Sequence, residues 1–130
     1  MSDWDALKKE CPNLYPLNMI FECRAGWYSI IRDLSLKIER ILEKEAEESK
    51  IPEGEENEYI KMFCVQVKEK YGTLRFYMTC TTDEISKLIE EVEELSSRTC
   101  EACGAPGKIR GWHWIEVKCD NCLNKENKND

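Results

Sequence analysis

Histidine is the scarcest chemically versatile residue in this 130-residue chain, which contains one. A single histidine cannot form a two-histidine metal site, and the chain has no H-E-x-x-H motif, P-loop or G-x-G-x-x-G motif. No apolar run approaches the roughly 20 residues that a transmembrane helix needs, and the first residues lack the basic and apolar regions of a secretory signal. These absences argue against several common enzyme classes and predict a soluble, untargeted cytoplasmic protein.

The composition is acidic, with 26 acidic and 19 basic side chains and a net charge of −7. Because affinity for nucleic-acid backbones comes mainly from lysine and arginine, this balance disfavours general nucleic-acid binding. The charge is uneven, however: residues 59–82 carry four basic side chains and one acidic side chain. The basic residues are Lys61, Lys68, Lys70 and Arg75. An acidic protein therefore contains one segment that suits a local anion.

Two segments have the three- and four-residue apolar spacing of amphipathic helices. The first predicts a helix over about Gly26–Glu48. The second opens at a capping box, with Thr81 as N-cap and Glu84 at the third helical position, and is expected to end near Arg98. Its polar stripe consists of Glu90, Glu91, Glu93 and Glu94. Between the helices, residues 49–58 contain a proline, a glycine and four glutamates, which predicts a solvated acidic loop.

Alternating apolar residues on both sides of Tyr71-Gly72 predict a β-hairpin with a two-residue turn. The expected cross-strand pairs are Val67–Phe76 and Val65–Met78 on the apolar face, and Lys68–Arg75 and Gln66–Tyr77 on the polar face. The polar face thus places two like charges side by side.

The strongest signal lies in the eight cysteines. Cys100 and Cys103 form one C-x-x-C pair, Cys119 and Cys122 form another, and 15 residues separate the pairs, within the spacing of structural zinc sites. Gly104, directly after the first pair, suits a turn that needs positive φ. Four thiolates complete a tetrahedral shell without an open position, so we predict a structural Zn²⁺ ion. Redox C-x-x-C motifs or buried free thiols are the alternative.

These patterns predict an α+β fold. A β-hairpin or small antiparallel sheet is packed by two amphipathic helices and followed by a four-cysteine zinc ribbon with short strands at 108–110 and 112–118. Near the N-terminus, Trp4, Leu7 and Cys11 predict a short helix stopped by Pro12, and residues 17–23 suit a strand or an irregular segment. The assigned regions are 1–98 for the core, 99–122 for the ribbon and 123–130 for a flexible tail.

Beyond the zinc ligands, the candidate binding residues lie on the basic hairpin and the ribbon. Aromatic rings stack on bases and cations pair with phosphates, so this combination suits a nucleotide-like anion. The candidates are Lys68, Lys70, Arg75 and Tyr77 of the hairpin with Arg110, Trp112 and His113 of the ribbon. The alternative is a solvated sheet face with tryptophans packed between ribbon and core. No nucleophile or orienting carboxylate is paired with His113 in the sequence, so we predict no catalytic residue.

Three segments resemble a known group of proteins. They are Cys23-Arg-Ala-Gly26-Trp27-Tyr28, Val67-Lys68-Glu69-Lys70-Tyr71-Gly72-Thr73-Leu74-Arg75-Phe76-Tyr77, and Ser97-Arg-Thr99-Cys100-Glu-Ala-Cys103-Gly104-Ala-Pro106-Gly107, followed by Gly111-Trp112 and the last cysteine pair. In this order they resemble small phage- and prophage-encoded proteins without an assigned activity, over about residues 17–122. The resemblance implies a phage accessory protein that modulates its host or counters host defences, and it carries over no catalytic residue.

The sequence therefore predicts a non-catalytic zinc-binding protein that inhibits or sequesters a host component in the host cytoplasm. The expected partner is a host protein or a nucleotide-like small molecule. Two alternatives stay open at this point: a nucleic-acid-binding zinc ribbon, and a small enzyme that uses His113.

Overall fold

The structure, a computed structural model, describes residues 3–16, 18–48, 62–111 and 113–127. Along these residues the order of elements is α1 (Asp3–Glu10), β1 (Phe21–Glu22), a 3-10 turn (Ala25–Trp27), α2 (Tyr28–Glu48), β2 (Cys64–Lys70), β3 (Thr73–Met78), α3 (Asp83–Ser96), β4 (Lys108–Arg110), β5 (Glu116–Lys118) and α4 (Asp120–Asn127). The predicted α+β class is confirmed. The acidic loop predicted at 49–58 lies outside the described residues.

Three strands form the main sheet in the order β1-β2-β3, with β1 parallel and β3 antiparallel to β2. The predicted pairs Val67–Phe76, Lys68–Arg75 and Gln66–Tyr77 are confirmed. Tyr71 and Gly72 both have positive φ, 53° and 86°, as a tight two-residue hairpin turn requires.

The pairing predicted for Val65 and Met78 is wrong. A β-bulge between Cys64 and Gln66 places Cys64 opposite Met78 instead. Because a bulge adds one residue to one strand, it reverses which side chains point inward beyond that point. Cys64 is therefore fully buried, whereas Val65 is 51% exposed.

The N-cap predicted for α3 is also wrong by one residue. Thr82, not Thr81, caps the helix, and its hydroxyl accepts a hydrogen bond from the Ile85 N–H at 3.3 Å. Either threonine offers the same hydroxyl, but capping at Thr82 accompanies the complete burial of Ile85 in the core. The start of the helix therefore accompanies the burial of Ile85 and does not follow the capping box of Thr81 with Glu84.

Other boundaries agree with the sequence to within a few residues. The predicted short N-terminal helix is α1, the first amphipathic helix is α2, and β1 falls within the segment 17–23. The tail expected to be flexible from residue 123 is instead helical to Asn127. Asp120 in the first turn of α4 and Lys125 in its last turn interact favourably with the helix dipole. This stabilises a helix that has few apolar residues to bury.

None of the helices in the described ranges combines the length and apolarity that crossing a membrane requires.

The core lies between the sheet and the helices. Trp27, directly before α2, and Ile31, Leu34 and Ile38 of α2 are each at most 1% exposed. Glu39 of α2 positions the loop after α1, and this residue is only 3% exposed. Its carboxylate accepts hydrogen bonds from the Asn13 side chain at 2.7 Å and from the Leu14 N–H at 2.9 Å. A buried carboxylate with several donors positions a loop without leaving an unpaired charge.

Side chains of α3 close the outer edge of β3. Ser96 Oγ accepts from the Leu74 N–H at 2.8 Å, and Glu93 Oε2 accepts from the Phe76 N–H at 3.0 Å. An open edge strand is a site for unwanted strand pairing, and these two contacts block it. Glu93 therefore does not belong to a freely solvated acidic stripe, as its position in the sequence suggested.

Replacing Ser96 by alanine removes the acceptor of the buried Leu74 N–H. An unpaired buried donor costs about 1–3 kcal/mol, so we expect the free energy of unfolding in urea to fall by that amount. The matched variant Ser97→Ala removes a hydroxyl that donates to the Glu94 carbonyl at the surface, and we expect it to cost about 0.5 kcal/mol or less. Equal losses in both variants would contradict the edge-capping role of Ser96.

Candidate metal centre

The two C-x-x-C pairs meet at the C-terminal end of the fold. The sulfur atoms of Cys100, Cys103, Cys119 and Cys122 all lie within 4.8 Å of one another, and the Cys103 and Cys119 sulfurs are 3.6 Å apart. Four thiolates around one zinc ion at the usual bond length stand roughly 3.8 Å apart. The cluster is therefore a candidate metal site whose size and donor set are compatible with zinc.

A tight backbone turn aims the first pair of cysteines. The Gly104 N–H donates to the Cys100 carbonyl at 2.8 Å, and Gly104 has φ of 85°. This confirms the positive φ predicted for Gly104. A side chain at this φ would be strained, so glycine allows the turn to close behind the two thiols.

A hairpin and a helix start supply the second pair. Strands β4 and β5 pair in antiparallel register and return the chain to Cys119. Cys122 lies in the first turn of α4, and its N–H donates to the Cys119 sulfur at 3.4 Å. The positive end of a helix dipole stabilises thiolates. The second pair is thus held by the start of a helix, which the sequence patterns did not predict.

Neighbouring groups set the thiol pKa values in opposite directions. Burial raises the pKa of Cys100, but the backbone N–H groups of Cys119, Cys103 and Ala102 outweigh it and lower that pKa to about 6. Hydrogen bonds with Cys103 and Cys119 raise the pKa of Cys122 to about 12. Four thiolates this close repel one another, so a full set of thiolates needs a cation among them.

A second layer of polar contacts fixes the hairpin to α4. The Arg110 guanidinium donates to the Lys118 carbonyl at 3.0 Å and to the Asp120 carboxylate at 2.5 Å. The same guanidinium lowers the pKa of Asp120 through a hydrogen bond and its charge. Lys118, which is 2% exposed, pairs with Glu116 at 2.9 Å. Arg110 thus links β4 to the residues on both sides of Cys119.

The 3-10 turn Ala25–Trp27, here called the docking turn, joins the metal site to the core. The Gly26 N–H donates to the Glu101 carbonyl at 2.7 Å. A Cβ on Gly26 would lie 2.3 Å from the carbonyl oxygens of both Cys100 and Glu101. No residue with a side chain fits at this distance without moving the cysteine turn.

Two further hydrogen bonds complete this junction. The fully buried Trp27 indole donates to the Thr99 carbonyl at 2.9 Å, and the Arg24 N–H donates to the Glu101 carboxylate at 3.0 Å. Burial, followed by the negative charges of Glu69 and Glu116, raises the pKa of Glu101. The sequence did not identify this junction, because nothing in its spacing links residues 24–27 with residues 99–101.

The hairpin tip also contacts the segment that carries the four cysteines, residues 99–122, here called the metal module. A Cβ on Gly72 would lie 3.0 Å from the Ile115 side chain and 3.4 Å from the Glu116 nitrogen. The turn of the β2–β3 hairpin therefore packs against the start of β5. As a result, the segment that carries the basic residues is positioned by the metal module at its tip.

The structure places the predicted anion-binding residues in two groups. Lys68, Lys70, Arg75 and Tyr77, here called the basic face, lie on the β2–β3 hairpin, and Tyr77 is 42% exposed. Arg110 is engaged at the metal site and is not part of this face. His113 is exposed in the turn between β4 and β5, and Trp112 lies outside the described residues.

Comparisons with known proteins find no match: no family model, no curated protein and no solved structure matches this chain. The resemblance to phage- and prophage-encoded proteins stays a prediction.

Thiol reactivity tests the metal site. Burial raises the pKa values of Cys11, Cys23 and Cys64 to about 12, so about one in 10,000 of these thiols is ionised at pH 8. We expect iodoacetamide at pH 8 to leave these three and the four clustered cysteines unlabelled in zinc-loaded protein. After chelation, peptide mass spectrometry should find label within the cluster first at Cys100, because its pKa is lowered to about 6. Rapid labelling of the cluster in zinc-loaded protein would contradict the site.

Substitution of Gly26 tests the docking turn. Gly26→Ala forces the Cys100–Glu101 backbone to move, and overpacking of this kind costs about 1–3 kcal/mol. We expect a lower free energy of unfolding and weaker zinc binding in a chelator competition. Ala25→Ser, at the exposed neighbouring position, also adds one heavy atom and should change neither quantity. Unchanged zinc affinity in Gly26→Ala would show that the junction does not support the site.

Proposed function

We propose that this protein is a non-catalytic zinc-binding protein whose basic face holds an anionic group of its partner. The observation that carries the proposal is the direct cross-strand pairing of Lys68 with Arg75. Among the described residues, no carboxylate lies within ion-pair distance of Lys68, Lys70 or Arg75. Within the described ranges, Lys68 and Arg75 are therefore available to a ligand, while the Lys70 ammonium lies 5.8 Å from the centre of the Tyr71 ring.

The fold gains no stability from this arrangement. Like charges that face each other across two strands destabilise a sheet by about 0.2–1 kcal/mol. The nearest acidic neighbour by register is Glu22, the parallel partner of Lys68, and its carboxylate instead contacts the Gln66 amide at 3.5 Å. A bound anion would relieve the repulsion between Lys68 and Arg75 and would form charge-assisted hydrogen bonds with both.

Zinc is the metal that four cysteine ligands in a tetrahedral cluster suit best. A closed site of this type contributes on the order of 10 kcal/mol of apparent folding free energy. Through the docking turn and the Gly72 contact, that stabilisation extends to the hairpin. The role proposed for zinc is therefore structural, and the ion holds the binding face in place without contacting the ligand.

The absence of catalysis is part of the proposal. Four protein ligands leave zinc no position for water or substrate. Within the described ranges, His113 forms no hydrogen bond with a nucleophile or carboxylate, so nothing supports the alternative of a His113 enzyme. The nucleic-acid-binding ribbon is disfavoured because Arg110, its best phosphate ligand, is committed to Asp120.

The kind of partner that carries the anion is inferred from the resemblance of the sequence to phage- and prophage-encoded proteins. If the chain is a phage accessory protein, its partner belongs to the host, and binding sequesters or inhibits that component. An acidic patch of a host protein and a nucleotide-like small molecule both present the required anion. General binding to long nucleic acids is disfavoured by the net charge of −7.

The double variant Lys68→Ala/Arg75→Ala tests the basic face with pyrophosphate as the probe. Charge-assisted hydrogen bonds contribute about 1.5–3 kcal/mol each, so we expect at least about a tenfold loss of affinity in an NMR titration. Zinc content and thermal stability should be retained. The matched control is Lys37→Ala/Lys87→Ala, which removes two exposed cations from α2 and α3 and should not weaken binding.

Two results would overturn the proposal. One is the absence of pyrophosphate binding to the wild-type protein, as shown by unchanged spectra for the residues of β2 and β3. The other is equal loss of affinity in the two double variants, which would mean that the probe responds to net charge and not to the basic face.

A further inference from the structure

We propose that the anion is the phosphate of a nucleoside monophosphate, and that its nucleoside part occupies the cavity beside the basic face. This inference rests on the proposed function and deepens it by naming the ligand class. The observation that supports it is a cavity of about 460 Å³, which lies between the loop before β1 and the start of β2. That volume lies within the range of small-molecule sites.

The cavity is partly open to solvent, and about half of its wall is apolar. The apolar part includes Met19, Ile20, Phe63 and Val65, of which Ile20 is 72% and Val65 is 51% exposed. The β-bulge at the start of β2 turns Val65 out of the core and into this wall. Exposed large apolar side chains around a concavity are typical of a site that buries a planar or apolar group.

Gln66 connects the cavity with the basic face. It lines the cavity and is the cross-strand partner of Tyr77, while Lys68 and Arg75 form the next pair on the same face of the hairpin. Two residues along a strand span roughly 6.6 Å, a distance that a ribose bridges between a base and its phosphate. Tyr77, the exposed cross-strand partner of Gln66, offers a ring for stacking next to this lining residue.

The polar groups of the cavity favour a nucleoside over a hydrocarbon. Asn18, Glu22 and Gln66 line it, and the contact between the Gln66 amide and the Glu22 carboxylate is long, at 3.5 Å. A fatty-acid chain would bury these groups without new hydrogen bonds, which is unfavourable. A base and a ribose supply the donors and acceptors that an amide and a carboxylate need.

A second cavity, of about 380 Å³, is unsuited to the same ligand. It lies at the junction of the core and the metal module. Besides Glu22, which lines both cavities, its lining places three carboxylates, Glu69, Glu101 and Glu116, beside one cation, Arg24. The carboxylates of Glu69 and Glu116 are close enough to Glu101 to raise its pKa. A phosphate in this second cavity would be repelled by the same carboxylates. Charge complementarity therefore favours the cavity next to Lys68 and Arg75 as the nucleotide site.

The test compares four nucleoside monophosphates with pyrophosphate by NMR titration of the zinc-loaded protein. We expect at least one nucleotide to bind tenfold or more tightly than pyrophosphate. Val65→Trp fills the cavity from an exposed position and should remove that gain without changing pyrophosphate affinity. Ile109→Trp is the matched control, because Ile109 is 53% exposed on β4. Gln66→Leu, which keeps the size of the side chain, should also reduce the gain.

The outcomes separate this inference from the proposed function. Pyrophosphate binding with no nucleotide preference would overturn the inference and leave the proposed function standing. No binding of any phosphate probe would overturn both. A nucleotide preference that survives Val65→Trp and Gln66→Leu would place the nucleoside elsewhere and overturn the inference. The inference would also be overturned, in favour of a hydrocarbon ligand, if decanoate bound more tightly than every nucleotide and if Val65→Trp weakened the binding of decanoate.

Discussion

The contact between the docking turn and the first cysteine turn is the interaction on which the rest of the structure depends. Gly26 approaches the Cys100–Glu101 backbone more closely than any side chain permits, and the Trp27 indole reaches from the core to the Thr99 carbonyl. A module of two short strands and one short helix has little core of its own. Its stability therefore depends on this junction with the core and, in the proposed function, on a metal ion held by its four thiols.

The same junction makes the metal relevant to the binding face. Gly72 at the hairpin tip packs on Ile115, and Ser96 and Glu93 hold the outer edge of β3. The hairpin is thus fixed at its tip by the metal module and along its edge by α3. A sheet held in this way can keep Lys68 and Arg75 side by side, although the two charges repel each other.

The distribution of charge then separates the possible ligands. The overall negative charge and the glutamate-lined cavity at the junction disfavour anions, whereas the proposed function assigns anion binding to the basic face and the neighbouring cavity. A protein with this arrangement suits one small anionic group and not a long polyanion. The proposed four-cysteine zinc shell fits the same interpretation, since a shell of this type leaves no open position for water or substrate.

Sequence alone determined those features that depend on near neighbours. Apolar periodicity located α2 and α3, the Tyr71-Gly72 turn fixed most of the hairpin register, and cysteine spacing identified the four clustered thiols, because each of these patterns acts within a helix turn, a strand pair or a short loop. Tertiary structure alone decided the bulge at Val65, the cap at Thr82, the role of Glu93 and the docking of Gly26. Those outcomes depend on burial and on backbone contacts between residues as many as 77 positions apart, which no local pattern encodes.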